Sequence, residues 1–326
     1  MFDISRFKES LESIEGTCFT PVQVELRAFQ CEDEQQEQLP PVSLVSVFPI
    51  ETATLDRTVI SIDAASRILG DLDGGVVGAV RASLVIRENG NVRVERYGPY
   101  LAACTSTNSA RIYSRLRREV IGATNPVSAP HYSRMPDRVR GFLEKFLLKK
   151  AVLSFSDALI LYDGSMRVAT YDTPSSFFRQ ICQHALSRGN DLAAVSKQTG
   201  LTMRPDGRSI LSALDGVDSP HCAMVKPVIT QDSWRYYGDI YVCRFVRGGD
   251  AFRVDLPPEC RKRHPIILSE LSYLAGPFGY PEDLRIAHIM SVFYPMEIVG
   301  LQSVAAAMYG MRMRENLRNK ILGPLG

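Results

Sequence analysis

The sequence has no paired cysteine motif, no long apolar run and no large net charge. Its seven cysteines among 326 residues are scattered, and none forms a Cys-x-x-Cys pair. A disulfide framework and a structural zinc site are therefore not expected, and a reducing compartment such as the cytoplasm fits best. The sequence starts without a secretory signal and has no segment of membrane-spanning length, so we expect an intracellular protein without membrane contact.

Several catalytic motifs are also missing. The sequence contains no Gly-x-x-x-x-Gly-Lys-Ser/Thr loop for nucleotide phosphates, no Gly-x-Ser-x-Gly elbow and no His-Glu-x-x-His zinc helix. A net charge of +2 does not indicate nucleic-acid binding for the chain as a whole. Basic residues gather locally at residues 111–118, 261–264 and 312–320, where they could contact phosphates or form solvated helix faces.

The first 45 residues differ in character from the rest of the chain. Apolar residues have helical spacing at residues 4–14, residues 22–26 alternate like a strand, and residues 31–38 are acidic and glutamine-rich. We interpret residues 1–45 as an appendage with an exposed acidic loop, and residues 46–326 as the main domain. Near the other end, apolar residues 304–311 are expected to pack in the core or at a partner surface.

The main domain begins with β-rich runs that alternate with helical segments. Strands are predicted at residues 59–63, 76–87, 91–97 and 158–163, and helices at residues 109–121 and 137–151. Asn89-Gly90 lies between the second and third strands and is a strong hairpin signal. Three antiparallel strands, followed by helix and strand in alternation, are typical of an RNase H-like sheet, whose first and fourth strands lie side by side.

The rest of the chain adds a β-rich region and C-terminal helices. Strands are predicted at residues 192–196, 224–229, 239–246 and 251–254, and helices at residues 174–187, 265–274, 281–293 and 297–317. We therefore predict an α/β fold with an RNase H-like mixed sheet, flanked by helices and extended by these β-rich and helical elements.

Asp63 and Asp163 each stand at the end of a short apolar run that is typical of a buried strand. A carboxylate at such a place needs a partner for its charge, and a divalent cation is one such partner. Either residue alone could instead start a turn or cap the next element. The RNase H-like strand order brings the two together, which favours a metal site.

Glu144 is the third candidate, because it lies on the predicted helix that precedes the Asp163 strand. Phosphodiester hydrolysis with two divalent ions needs three or four Asp, Glu or His ligands. Glu144 could equally be a surface residue paired with Arg140, which precedes it by one helical turn. Glu119 is the reserve candidate for the third carboxylate.

His288 is the fourth candidate, and Tyr280 precedes it by about 12 Å of helical rise. This spacing predicts that one of them reaches the metal and the other the nucleic acid; a hydrogen-bonded core histidine is the alternative. Pro281 fits the first helical position. Lys197 follows a short apolar strand, where it could touch a phosphate or simply face solvent.

Together these segments resemble the NurA family of nucleases. The resembling positions are the Asp63 strand, residues 162–166 (Tyr-Asp-Gly-Ser-Met), residues 195–197 (Val-Ser-Lys), and residues 279–281 (Gly-Tyr-Pro) with His288 eight residues after the tyrosine. The resemblance implies a DNA nuclease that favours Mn²⁺ or uses Mg²⁺, with two ions on an RNase H-like fold. It also implies 5′-to-3′ exonuclease and single-strand endonuclease activity in DNA end resection or repair, as a homodimer beside a HerA-type hexameric ATPase in the prokaryotic cytoplasm, associated with the nucleoid.

By the same resemblance, the metal ligands would be Asp63, Glu144, Asp163 and His288, with Tyr280 near the reacting phosphate and Lys197 at the edge of the site. The chain departs from the family after the first aspartate, where Ala64-Ala65-Ser66 replaces a frequent Gly-Ser. This departure motivates the alternative of a non-catalytic DNA-binding or adaptor subunit. Another RNase H-like nuclease, such as a resolvase-like or Argonaute-related enzyme, is the third hypothesis.

Overall fold

The structure is a computed structural model, and it describes residues 41–168, 170–203, 205–227 and 235–313. The helix, strand and acidic loop predicted within residues 1–40 lie outside the described residues. The first described strand, Val42–Pro49, spans the predicted boundary at residue 45.

One mixed sheet runs through the described part of the chain. Its strands in chain order are β1 (Val42–Pro49), β2 (Val59–Leu72), β3 (Gly75–Glu88), β4 (Asn91–Thr105), β5 (Leu159–Asp163), β6 (Asp191–Ser196), β7 (His221–Pro227), β8 (Asp239–Arg244), β9 (Ala251–Leu256) and β10 (Arg312–Met313). The spatial order is β1-β7-β8-β9-β6-β5-β2-β3-β4, and β10 pairs with the second half of β2.

The predicted strand order is confirmed at the centre of this sheet. Strands β2, β3 and β4 are antiparallel neighbours, and β5 lies parallel to β2 on one side and to β6 on the other. The β3–β4 turn contains Asn89 and Gly90, both with positive φ (49° and 77°). These are the backbone angles that make an Asn-Gly pair favourable in a two-residue hairpin.

Helices cover both faces of the sheet. They are α1 (Ser109–Ile121), α2 (Met135–Ser154), α3 (Ser175–Ser187), α4 (His264–Leu274), α5 (Glu282–Ser291) and α6 (Pro295–Tyr309), with short 3₁₀ turns at Tyr132–Arg134, Ile210–Leu214 and Pro258–Arg263. Because neighbouring residues of a strand point to opposite faces, Ile60 and Ile62 pack with α1, α2 and α3, whereas Val59 packs with α4 and α5.

Strand β2 is longer than the sequence predicted, and this corrects the position of Asp63. The strand continues nine residues beyond Asp63 to Leu72 and pairs with β3 along that length, so Asp63 lies within the strand and not at its end. Small and polar residues follow Asp63, and their weak β preference concealed the continuation. Asp163 does end its strand, as predicted.

The helix predicted at residues 297–317 is wrong from residue 310 to residue 313, and residues 314–317 lie outside the described residues. Helix α6 ends at Tyr309, and Gly310 adopts a left-handed backbone (φ 63°) while its N–H donates to the carbonyl of Ala306 at 3.0 Å. A glycine in this conformation is a common helix terminator. The chain then turns back and forms β10 against β2.

Residues Glu282–Tyr309 are long and apolar enough to cross a membrane by length and composition, which corrects the expectation that no segment has that length. They form two separate helices, and α5 packs on β2 and β3. Length and composition alone are therefore weak evidence for a membrane span.

Candidate metal centre

Asp63 and Asp163 meet where β5 leaves the sheet. Strands β2 and β5 are paired in parallel as far as Ile62 and Tyr162, and the next residue on each strand is the aspartate. Strand β5 ends there while β2 continues, which leaves a notch beside Asp63. Asp63 itself is 5% exposed, so its charge lies in a poorly solvated position.

Gly164 shapes the turn that carries Asp163 out of the sheet. Its φ of 140° is one that residues with side chains rarely adopt, and its N–H donates to the carbonyl of Val195 at 3.0 Å. The Gly164 carbonyl accepts a hydrogen bond from the Ser196 hydroxyl. These bonds tie the turn to the neighbouring strand β6 and fix the position of the preceding carboxylate.

Helix α5 contributes two side chains to Asp63. His288 Nδ1 lies 2.9 Å from Asp63 Oδ2, and the Ser291 hydroxyl donates to the same oxygen at 2.7 Å. The two side chains are three residues apart and therefore share one face of the helix. A neutral His288 that donates from Nδ1 keeps the lone pair of Nε2 free to bind a cation.

Asp63, Asp163 and His288 each offer a ligand atom, and these three atoms lie within 4.8 Å of one another. Two carboxylates and one imidazole are suitable donors for Mn²⁺ or Mg²⁺, and the imidazole nitrogen favours Mn²⁺. The structure thus brings together three of the four predicted ligands, from β2, β5 and α5.

Glu144 lies beside this group on α2, but outside the 4.8 Å cluster. Its side chain is buried, its Oε2 is 3.5 Å from Arg140 Nη1, and its Oε1 has no hydrogen-bond partner among the described residues. Burial and the charges of Asp63 and Asp163 raise the pKa of Glu144 to about 8, against the opposing effect of Arg140 and Lys145. A buried carboxyl with an unpaired oxygen beside two further carboxylates fits a place that a cation would stabilise.

Glu119, the reserve candidate, is not part of the cluster. It lies on α1, is partly exposed, and pairs with Arg118 at 3.6 Å. Glu144 is therefore the better third carboxylate on geometry.

Lys197 and Tyr280 lie on the Asp163 side of the centre. The Lys197 ammonium is 2.8 Å from Asp163 Oδ2 and 4.8 Å from the centroid of the Tyr280 ring. Tyr280 is buried and its hydroxyl makes no hydrogen bond of ordinary geometry with a described residue. Burial, together with the charge of Asp163, raises its pKa well above the usual tyrosine value.

Tyr280 and His288 lie near different carboxylates of the centre, Tyr280 near Asp163 and His288 near Asp63. The detail of the helix start differs from the prediction: α5 begins at Glu282, and Pro281 is the residue before the helix, with Tyr280 outside it. Pro281 thus still ends the preceding loop at the start of the helix, as its non-helical backbone (φ −58°, ψ 122°) shows.

Ala64 and Ala65, where the chain departs from the NurA pattern, lie on opposite faces of β2, with Ala65 on the same face as Asp63. Ala64 packs in the apolar core with Ile60 and Ile62, on the face opposite to Asp63. The sequence did not predict Ser291, whose role follows from its 2.7 Å contact with Asp63. The sequence predicted Arg140 only as a pairing partner of Glu144.

No family model matches the sequence, and no curated protein matches it either. Among solved structures, the NurA nuclease from Sulfolobus solfataricus is similar, with a TM-score of 0.51 and 16% identity, over 81% of this chain and 88% of that one. A second NurA crystal structure has a TM-score of 0.48 and 11% identity, over 84% and 92% of the two chains. The similarity to the Sulfolobus solfataricus structure shows a NurA-like fold, and the predicted resemblance is confirmed at that level.

Proposed function

We propose that the protein is a metal-dependent nuclease that hydrolyses phosphodiester bonds in DNA. The observation that carries this proposal is the cluster of Asp63, Asp163 and His288, whose ligand atoms lie within 4.8 Å of one another on a NurA-like fold. Hard divalent cations prefer such carboxylate-rich sites, and phosphodiester cleavage is a reaction that they support well.

Asp63, Asp163, His288 and Glu144 would hold Mn²⁺ or Mg²⁺, and two ions are proposed because four ligands are within reach. When bound, the ions would activate water and stabilise the charge that develops on the phosphate. Ser291 and His288 orient the Asp63 carboxylate through their hydrogen bonds. Lys197 lies at the edge of the centre, where its ammonium would contact a phosphate oxygen, and Tyr280 would face the reacting group.

The finer features of the proposal come from the family resemblance. They are 5′-to-3′ exonuclease and single-strand endonuclease activity, a role in DNA end resection or repair, a HerA-type ATPase partner, a homodimer and a cytoplasmic, nucleoid-associated location. The outer face of α6 supports a protein partner, because Met296, Val299, Val304 and Met308 are all exposed there. The missing nucleotide-binding loop is consistent with a separate ATPase.

The test is degradation of end-labelled DNA by the purified protein in the presence of Mn²⁺. We expect Asp163→Asn and His288→Ala to abolish activity, and Asp218→Asn to retain it, since Asp218 is an exposed carboxylate paired with Arg247 at 3.2 Å. Comparing 5′-labelled with 3′-labelled strands gives the polarity.

Mn²⁺ binding gives a readout that does not depend on activity. Binding to the folded chain should raise the unfolding temperature of the wild type and of Asp218→Asn, but raise it less in Asp163→Asn. A wild-type protein that binds DNA, gains no thermal stability from Mn²⁺ and leaves DNA intact would favour the adaptor hypothesis instead.

A further inference from the structure

Arg140 lies on α2, one helical turn before Glu144, so both side chains share one face of the helix. Its side chain is 36% exposed, and its one ion pair with a described residue is the 3.5 Å contact between Nη1 and Glu144 Oε2. An arginine has five N–H donors in a planar fork. Most of the donor capacity of this guanidinium is therefore left without a strong acceptor among the described residues.

Arg140 carries a positive charge, because a guanidinium does not lose its proton in proteins. Glu144, Asp137 and Asp63 are carboxylates in its surroundings. The contact between Arg140 and Glu144 is long, at 3.5 Å, and involves a single pair of atoms. By contrast, Arg87 binds Asp283 through several contacts between 2.6 and 3.1 Å, which is the geometry of a structural pair.

Lys197 is the second positively charged side chain at the candidate centre. It lies against Asp163 at 2.8 Å, whereas Arg140 lies against Glu144 at 3.5 Å. A phosphodiester held at the centre would thus meet two cationic side chains, one beside Asp163 and one beside Glu144. Of these two, only the guanidinium can donate two parallel hydrogen bonds to the two non-bridging oxygens of one phosphate.

We propose that Arg140 binds the phosphate of the substrate at this centre through its guanidinium, and that it is a catalytic residue distinct from the metal ligands. The inference rests on the proposed nuclease function. The competing role is purely structural, with Arg140 serving only as the counter-ion that positions Glu144.

The test compares kcat and KM of the full-length protein on a labelled oligonucleotide with Mn²⁺. Arg140→Ala should lower kcat about 100-fold, the usual effect of removing one positioned donor from a transition state. Arg140→Lys should stay well below wild type, because an ammonium keeps the charge but not the fork. Added guanidinium ion should restore part of the activity of Arg140→Ala.

Arg138→Gln is the matched control. Arg138 is on the same helix with a side-chain exposure of 30%, and it pairs with Asp172 at 3.2 Å, away from Glu144. We expect its kcat to stay within about twofold of wild type, as for surface pairs in general.

Mn²⁺ affinity, measured by calorimetry, separates the two roles. If Arg140 binds phosphate, Arg140→Ala binds Mn²⁺ at least as tightly as wild type, because a positive charge has left the site. If Arg140 positions Glu144, Mn²⁺ affinity falls in step with kcat and guanidinium does not rescue the rate. Either that result or an Arg140→Ala enzyme with wild-type kcat overturns the inference.

A wild-type protein that degrades no DNA would remove the proposed function and this inference together. A wild-type protein that is active, with Arg140→Ala equally active, would remove the inference alone. The two failures are therefore distinguishable in the same assay.

Discussion

Asp63 shows how much of the candidate centre depends on single hydrogen bonds. Its Oδ2 is approached by His288 and Ser291 from one helix, so Oδ1 is the oxygen left to face the notch. Hydrogen bonds to a ligating carboxylate hold it in one orientation and raise the affinity of a metal site. Ser291 is completely buried, so no water replaces its hydroxyl easily.

Ser291→Ala should weaken Mn²⁺ binding about tenfold, because Asp63 loses an oriented donor while keeping its charge. Calorimetric titration with Mn²⁺ measures the effect. Ser303→Ala is the control, since the Ser303 hydroxyl is exposed on α6 and donates to the Val299 carbonyl at 3.1 Å. An unchanged dissociation constant in Ser291→Ala would show that Asp63 does not bind the metal through this arrangement.

Among the residues of the candidate centre, the sequence predicted those whose chemistry is unusual for their surroundings. Asp63 and Asp163 were found because a carboxylate beside an apolar strand needs a partner. Ser291 could not be found in the same way, because a serine in a helix has many ordinary roles. Its importance comes from the distance to Asp63, which only the folded chain supplies.

Helix α5 is held on the sheet by polar contacts as well as by apolar packing. Arg87 on β3 pairs with the fully buried Asp283, and the Ser83 hydroxyl donates to the Ala287 carbonyl at 2.6 Å. These two contacts flank the helix that carries His288. The position of the imidazole therefore depends on β3 as much as on β2.

Arg87→Gln should destabilise the protein by about 3 kcal/mol, because it leaves the buried Asp283 without its counter-charge. It should also weaken Mn²⁺ binding, since α5 carries His288. Urea unfolding and calorimetry measure the two effects. Arg285→Gln on the same helix should change neither, because Arg285 is solvent-exposed and pairs only with Glu282.

The start of α4 contacts β8 through a buried histidine. His264 is buried, its Nδ1 lies 2.9 Å from the Tyr241 hydroxyl, and its Nε2 lies 2.9 Å from the Pro257 carbonyl. A neutral ring satisfies both contacts by donating from Nε2 and accepting at Nδ1. Burial lowers the pKa of His264 below the usual histidine value.

His264 should make the protein less stable as the pH falls below about 6.5. In that range the unfolded chain binds a proton at this histidine, whereas the folded chain resists it, so the free energy of unfolding decreases with falling pH. The His264→Gln variant lacks this titration and should show a shallower decrease. Urea unfolding between pH 5 and pH 7.5 measures both slopes; identical slopes would contradict the assignment.

Elements with a strong local signal were predicted well. The helix predicted at residues 109–121 is α1, and the Asn89-Gly90 hairpin is present. Strand β2 was cut short because the four residues directly after Asp63 are small or polar, and α6 was extended because the residues after Gly310 have helical composition. In both cases pairing with a distant strand decided the outcome, and local sequence carries little information about it.

Over the whole molecule, the outer face of α6 is the most apolar exposed surface of a helix that the structure describes. Met296 is 82% exposed and Val299 is 57% exposed, and no charged side chain lies among the exposed residues of this face. The expectation of core packing for residues 304–311 holds only for Ala305 and Met311. Such a face is typical of an interface between protein chains.

We expect the protein to self-associate through this face, in line with the proposed homodimer. A Val299→Glu and Val304→Glu double variant should shift the protein toward the monomer, because each glutamate would place a charge in an apolar contact. Sedimentation velocity measures the shift. Val92→Glu, at an exposed valine on β4, is the matched control and should leave the association unchanged.

The hydrogen bond between Asp63 and His288 joins residues that are 225 positions apart. A chain is synthesised from its N-terminus, and its elements begin to fold as they leave the ribosome. Strands β2 and β5 can therefore pair, with both aspartates in place, well before α5 has been translated. A chain broken off between them would carry two carboxylates and no imidazole, so interrupted translation would release protein fragments that lack a complete centre.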